Sequence, residues 1–150
     1  MTIIHYSPIG FVRTDCPDDE VPRRRREIVS TIVVEPALED ALTGIDAFSH
    51  LIVLFHMHRA SADRQPLVVH PRGDPSLPQT GVLAARGRNH PNPIGLAVVE
   101  LLERERNALR VRRLDAYDGT PVIDIKPYDH YDVFTGLRLP AWLAARPGNA

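Results

Sequence analysis

One cysteine, one lysine and no long apolar run mark what these 150 residues have least of, and each shortage removes a class of protein. Cys16, standing alone, forms no internal disulfide and assembles no thiolate metal site, which points to a reducing, cytoplasmic setting. No apolar stretch approaches the roughly 20 residues that cross a bilayer. The opening MTIIHYSPIG lacks the basic-then-apolar layout of a signal peptide, so a soluble chain with no membrane partner is expected. Net charge is −1, from 19 acidic and 18 basic residues, so there is no overall basic field of the kind that drives non-specific nucleic-acid binding. Lys126 is the sole lysine and the other basic residues are arginine, a bias that follows from genome base composition as easily as from anion recognition. There is no internal repeat, P-loop, nucleophile triad or thiolate zinc cluster.

What is present is proline, 14 residues of it spread along a chain with 43% hydrophobic content. That pattern favours one domain of short strands and stiff turns over long helices. The fold class expected is mainly β, a small single domain with short helices. IIHYSPIGFV reads as an edge strand bent at Ser7-Pro8, and TDCPDDEVPRRRR as a loop. EIVSTIVV is a strand from Glu27 to Val34. ALEDALTGI has helical spacing, ending near Gly44. SHLIVLFHMH, from Ser49 to His58, is apolar enough for a strand buried on both faces. The long connection over 59–79 is a possible lid or contact surface. TGVLAARGR is read as a strand delivering Arg86 to its end. IGLAVVELLERERNALRVRRL is read as a hairpin turning at Glu105-Arg106-Asn107, with Asn107 able to take positive φ. DGTPVIDIKPY supplies a turn and a last strand, and LPAWLAA a closing helical turn.

NHPNPIG, Asn89 to Gly95, is the stretch most loaded with chemistry. Pro91 and Pro93 fix their own φ and push His90 and Asn92 into extended geometry. The segment is stiff and short of backbone donors, so it suits the wall of a site. Arg86 lies just before it, and His58-Arg59 ends another strand. Guanidinium groups held at strand ends can grip a carboxylate or phosphate bidentately. His56 and His58, two apart, would share a strand face and could begin a metal site, although no cysteine or carboxylate stands at metal spacing beside them. The four arginines at 23–26 suit phosphates or a solvated loop. Asp115, Asp118 and Asp124 offer a clamp for hydroxyls or an amine, or simply a turn cap at Asp118.

Four blocks in this order, IGFVRT, GIDAFSHLIVLFHMHR, GVLAARGRNHPNPIGLAVVEL and LDAYDGTPVIDIKPY, resemble the TrmO-like (UPF0066, TsaA-like) family, over about residues 8 to 130. The best-known members are tRNA N6-threonylcarbamoyladenosine methyltransferases. The resemblance implies a β-barrel-like domain over 1–150, with a tail at 131–150, that binds S-adenosylmethionine and works as a homodimer on tRNA. It implies cofactor contacts at Arg23, Arg24, Arg25, His58, Arg59, Arg86, Leu96, Leu114 and Asp115, with Pro91 and Asn92 in the wall. A methyl sulfonium is already activated, so alignment matters more than a strong nucleophile. Asp118 and Tyr128 are the candidate catalytic residues, by position, for taking the acceptor's proton.

The family's ATRSPHRPNPIG is here AARGRNHPNPIG, with Ala85 in place of Thr and His90 in place of Arg. Bacterial tRNA enzymes of this kind commonly carry a further C-terminal domain, which these residues do not include. A methyltransferase of the same fold acting on a small-molecule acceptor is therefore the alternative reading. A binding module or a histidine-dependent metallohydrolase is the third.

Overall fold

The structure, a computed structural model, describes residues 2–61, 63 and 66–146. Six strands close into an antiparallel barrel: β1 (Gly10–Arg13), β2 (Val29–Val34), β3 (His50–His56), β6 (Ile94–Glu105), β7 (Ala108–Arg112) and β8 (Pro121–Pro127). They run in the order β1-β2-β7-β6-β3-β8, and β8 pairs back onto β1. Two further strands, β4 (Val68–Val69) and β5 (Thr80–Gly81), pair with each other outside it. The mainly β, barrel-like expectation holds.

Period-two patterning explains the interior. Ile32 and Val34 of β2, Leu51 and Val53 of β3, Leu109 and Val111 of β7 and Val122 of β8 all turn inward and are buried. Burying each such side chain contributes about 1.5–3 kcal/mol. A small barrel is filled by its own side chains, which leaves ligand chemistry to its rims. β6 is long enough to serve two neighbours, pairing with β3 through Ile94–Glu100 and with β7 through Glu100–Glu105. Register shifts at Leu54/Phe55 and at Leu101/Glu103 supply the local bends that closure requires.

Two glycines make the closure possible. A Cβ on Gly10 would collide with the Val33 carbonyl oxygen and come within 2.8 Å of Val34 Cα. A Cβ on Gly95 would run into the Phe55 ring.

Several expectations are corrected. The first strand begins only at Gly10 and has neighbours on both sides. Pro8 has no N–H for a ladder, so the residues before it stay outside the sheet. The arginine-bearing loop contains a four-residue helix, α1 (Val21–Arg24), started by Pro22 and anchored by buried Val21. The helix expected after β2 is two 3₁₀ segments, Pro36–Leu42 and Ile45–Ala47, divided at Gly44 with φ 87°. The inner face of β3 is sealed, but its outer face is only half-buried, because the outside of a barrel faces water. The strand expected over 80–88 shrinks to Thr80–Gly81 and a 3₁₀ turn at Val82–Ala84, since Ala, Gly and Arg have little β preference. At the hairpin turn Arg106 takes the positive φ, 54°. Asn107 instead donates through Nδ2 to the Val34 carbonyl at 2.6 Å. The expected closing helical turn is α2 (Ala141–Ala144). Of the loop read as a lid or contact surface, Ala62, Arg64 and Gln65 lie outside the described residues.

Candidate functional site

One rim of the barrel gathers three connections: 14–28 between β1 and β2, 57–93 between β3 and β6, and 113–120 between β7 and β8. The stitching between them is backbone. Gly119 N donates to Val12 O at 2.8 Å, Arg113 N to Ile28 O at 2.9 Å and Met57 N to Pro93 O at 2.8 Å. The last bond fastens the proline-flanked loop to the end of β3. Asn92 O is taken within the loop by Ile94 N at 2.8 Å, so not all its carbonyls reach outward.

His58 is not on the strand. Its N–H turns back to His56 O at 2.8 Å, and the same-face pairing expected of His56 and His58 ends with the ladder. The His58 ring instead lies with Nδ1 3.4 Å from Oγ1 of Thr120, a residue buried beneath it. Arg59 forms an ion pair with Asp18 and lies 4.8 Å over the Tyr117 ring. Both partners of that pair are about half exposed, so the pair adds little stability and can be exchanged for a ligand. Asp18, Tyr117 and Thr120 were not singled out from the sequence. Asp18 is 41 residues from Arg59 and Thr120 is 62 from His58, and no local spacing signals either contact.

Asp115 is the electrostatically distinctive group on this rim. Part of its surface is open to solvent, yet enough protein surrounds the carboxyl that desolvation raises its pKa above the usual value, only partly countered by Arg25. A carboxylate held against its solvation preference gains from a bound cation or hydroxyl donor. Leu114, beside it, is fully buried, so only its backbone can meet a ligand. Its carbonyl accepts from Ala116 N at 3.0 Å. Asp118 accepts from Thr14 N at 3.0 Å and so caps the end of β1.

Arg23 and Arg24 point outward and pair with Asp19 and Glu20 one helical turn away. Arg86 Nη2 donates to Leu96 O at 3.4 Å, placing both on the wall just below the proline loop. The two departures from the family pattern meet each other: His90 Nε2 donates to Ala85 O at 2.8 Å and braces the loop. Tyr128 stands apart. Its N–H bonds His50 O at the far end of β3, and the length of β8 separates it from the rim by roughly 20 Å.

An open cleft of about 500 Å³ is lined by Arg13, Thr31, Arg110, Asp15 and Asp118 among others, on the β1–β2–β7 wall. It meets the rim at Thr14 and Asp118 but contains neither Arg59 nor Asp115. Guanidinium and carboxylate groups occur in both places; Arg59 and Asp115, from two of the rim connections, lie outside that cleft.

Comparison with known proteins decides the family. Residues 12–132 match the tRNA-methyltransferase O N-terminal domain. The chain belongs to the TrmO family. A relative from Archaeoglobus fulgidus, an S-adenosyl-L-methionine-binding protein, is 46% identical over 124 residues, covering 81% of this chain and 86% of its own. The tRNA (adenine(37)-N6)-methyltransferase of Escherichia coli is 34% identical over 138 residues, and the match spans 85% of this chain but 59% of that enzyme. The solved TrmO from Pseudomonas aeruginosa superposes with a TM-score of 0.72 at 32% identity, over 91% of this chain and 62% of that one. TrmO family membership thus covers the barrel and all three rim connections.

Proposed function

We propose that this chain is an S-adenosylmethionine-dependent N-methyltransferase that methylates N6 of threonylcarbamoyladenosine in tRNA. The observation that carries the reading is the meeting, on one rim, of Arg25, His58, Arg59 and Asp115 from three connections far apart in sequence. Relatives of this family bind S-adenosylmethionine, and one methylates N6 of adenine 37 of tRNA.

The donor set fits the cofactor. Its carboxylate suits Arg59 or Arg86, and its ammonium or ribose hydroxyls suit Asp115, whose pKa burial raises and Arg25 partly lowers. When bound, S-adenosylmethionine supplies an activated methyl group on a sulfonium. The protein's part is to orient and exclude. Arg59 leaves Asp18 for a better anion, the Tyr117 face supports the guanidinium, and the Pro91-Asn92-Pro93 wall fixes one side of the space. Asp118, which accepts from Thr14 N, is the candidate on this rim for taking the acceptor's proton, and β8 carries the other candidate, Tyr128, to the opposite rim. Arg23 and Arg24, held outward by acids, serve the mouth of the site.

Assembly as a homodimer is supported by the exposed outer stripe of β6, with Ile94, Leu96 and Val98 in a row. Light scattering giving a monomer mass at working concentration would remove that part. The near-neutral charge and the Ala85 and His90 changes favour the small-molecule alternative. Radiolabelled methyl transfer to tRNA from a strain lacking the modification separates the two. Label in tRNA upholds the proposal, and label only in a metabolite pool sinks it.

A further inference from the structure

The cleft on the β1–β2–β7 wall takes no part in holding the cofactor, and strand register fixes what it offers. Arg13 stands directly opposite Thr31, and Thr31 directly opposite Arg110, in one row across three strands. Each of the three alternates along its strand with buried neighbours, Val12 on β1, Ser30 and Ile32 on β2, Leu109 and Val111 on β7, so the row faces outward. Neighbouring strands lie about 4.8 Å apart, which sets the two arginine backbones about 10 Å apart with the Thr31 side chain between them. Asp15 and Asp118 line the same space of about 500 Å³.

These groups are not spent on one another. Among the described residues neither Arg13 nor Asp15 closes an ion pair within 4 Å. Arg110 reaches Glu103 at 3.9 Å, and both side chains are more than half exposed, so that pair is readily exchanged. Asp118 uses one carboxylate oxygen, Oδ1, on Thr14 N. Two guanidinium groups and two carboxylates balance in charge, and the carboxylates repel a run of phosphates. What the cleft complements is a small group with one carboxylate beside hydroxyl and N–H donors. Guanidinium grips the carboxylate and aspartate accepts from the donors. The volume lies within the range of small-ligand clefts.

A threonylcarbamoyl substituent is such a group, with a carboxylate, a hydroxyl and urea N–H groups within a few bonds of N6. Asp118 joins the cleft to the rim and stands three residues from Asp115 on one connection, a span of at most about 11 Å. We propose that the cleft is the subsite for the acceptor's substituent, with Arg13 and Arg110 holding the threonyl carboxylate across Thr31 and Asp15 accepting from the hydroxyl. Recognition there selects the modified adenosine over plain adenosine. The inference rests on the reading of threonylcarbamoyladenosine as acceptor and adds the residues that select it.

The test is steady-state methyl transfer by the purified full chain to tRNA carrying threonylcarbamoyladenosine, with the threonyl carboxylate free or converted to the carboxamide, beside calorimetry with S-adenosylmethionine. Wild type is expected to favour the free acid by about tenfold or more in kcat/KM. Arg13→Gln and Arg110→Gln are each expected to lower kcat/KM for the free acid about tenfold and to leave that for the carboxamide within about twofold, so the preference collapses. Misfolding would lower both acceptors alike, and cofactor affinity and circular dichroism stay at wild type. Equal methylation of both acceptors by wild type, or variants that keep the full preference, overturns the subsite and leaves the methyltransferase reading standing. No transfer to either acceptor by wild type removes the acceptor and the subsite together.

Discussion

The two rims of the barrel are cut from the same six strands and finished in opposite ways. At the rim that carries residues 35–49 and 106–107, long polar side chains are spent on backbone. Arg104 donates to Arg106 O at 2.8 Å and to Leu42 O at 3.1 Å, and reaches Asp46 at 3.4 Å. Asn107 closes on Val34 O at 2.6 Å. At the other rim His90 and His70 also close on backbone at 2.8 Å, but the contacts of the candidate ligand-binding side chains are long or solvent-exposed: His58 to Thr120 at 3.4 Å, Arg86 to Leu96 O at 3.4 Å, and Arg59 to an Asp18 that is half exposed. One end is a closed seam. The other keeps its cations and its carboxylate exchangeable, as a binding rim requires.

The sharpest way to break this contrast is to add one methyl group at each end. Gly10→Ala forces a Cβ into the Val33 carbonyl on the closed side, and overpacking against backbone is expected to destabilise by about 3 kcal/mol or more. Gly87→Ala, in the connection at the open rim, meets nothing within 4 Å and should stay within about 0.5 kcal/mol of wild type. Urea denaturation of both measures the difference, and equal losses would mean that Gly10 is packed no more tightly than Gly87.

A smaller effect is expected from Arg104→Ala, which strips the Leu42 carbonyl of its donor and should cost about 1–2 kcal/mol in the same assay. A loss no larger than that of Arg59→Ala would contradict the distinction.

The smallest effect has a sign opposite to the others. The pKa of Asp115 is raised in the fold, so its ionised form is disfavoured there. That penalty is absent below the ordinary carboxylate pKa of about 3.9 and grows as pH rises through the folded value. Asp115→Asn should therefore melt slightly higher than wild type at pH 7, with the gap closing in acid, while cofactor binding weakens. A melting temperature lowered at pH 7 would place the carboxylate among the stabilising groups instead.

Much of the barrel was legible because β2, β3, the β6–β7 hairpin and β8 are rich in β-branched residues at period two, and Gly or Pro marks their ends. Closure was not legible. It depends on β1 pairing with β8, more than a hundred residues away, and on Gly10 and Gly95 admitting a neighbour that no local pattern announces. The site divides the same way. The rim arginines, His58 and Asp115 stood out through motif blocks and strand ends. Tyr128 was drawn in because it follows the DGTPVIDIKP block closely, but a strand carries it the length of the barrel away from the turn that begins that block. Thr120 and Asp18 reach the site only through tertiary contact.

The central claim is that the open rim holds S-adenosylmethionine, with Arg59 exchanging Asp18 for the cofactor. Calorimetric titration of S-adenosylmethionine into wild-type and Arg59→Ala protein tests it most directly. The account predicts saturable one-site binding by wild type and at least a tenfold loss in the variant, with stability changed by no more than about 1 kcal/mol. Absence of binding by wild type, or equal binding by both proteins, would contradict it.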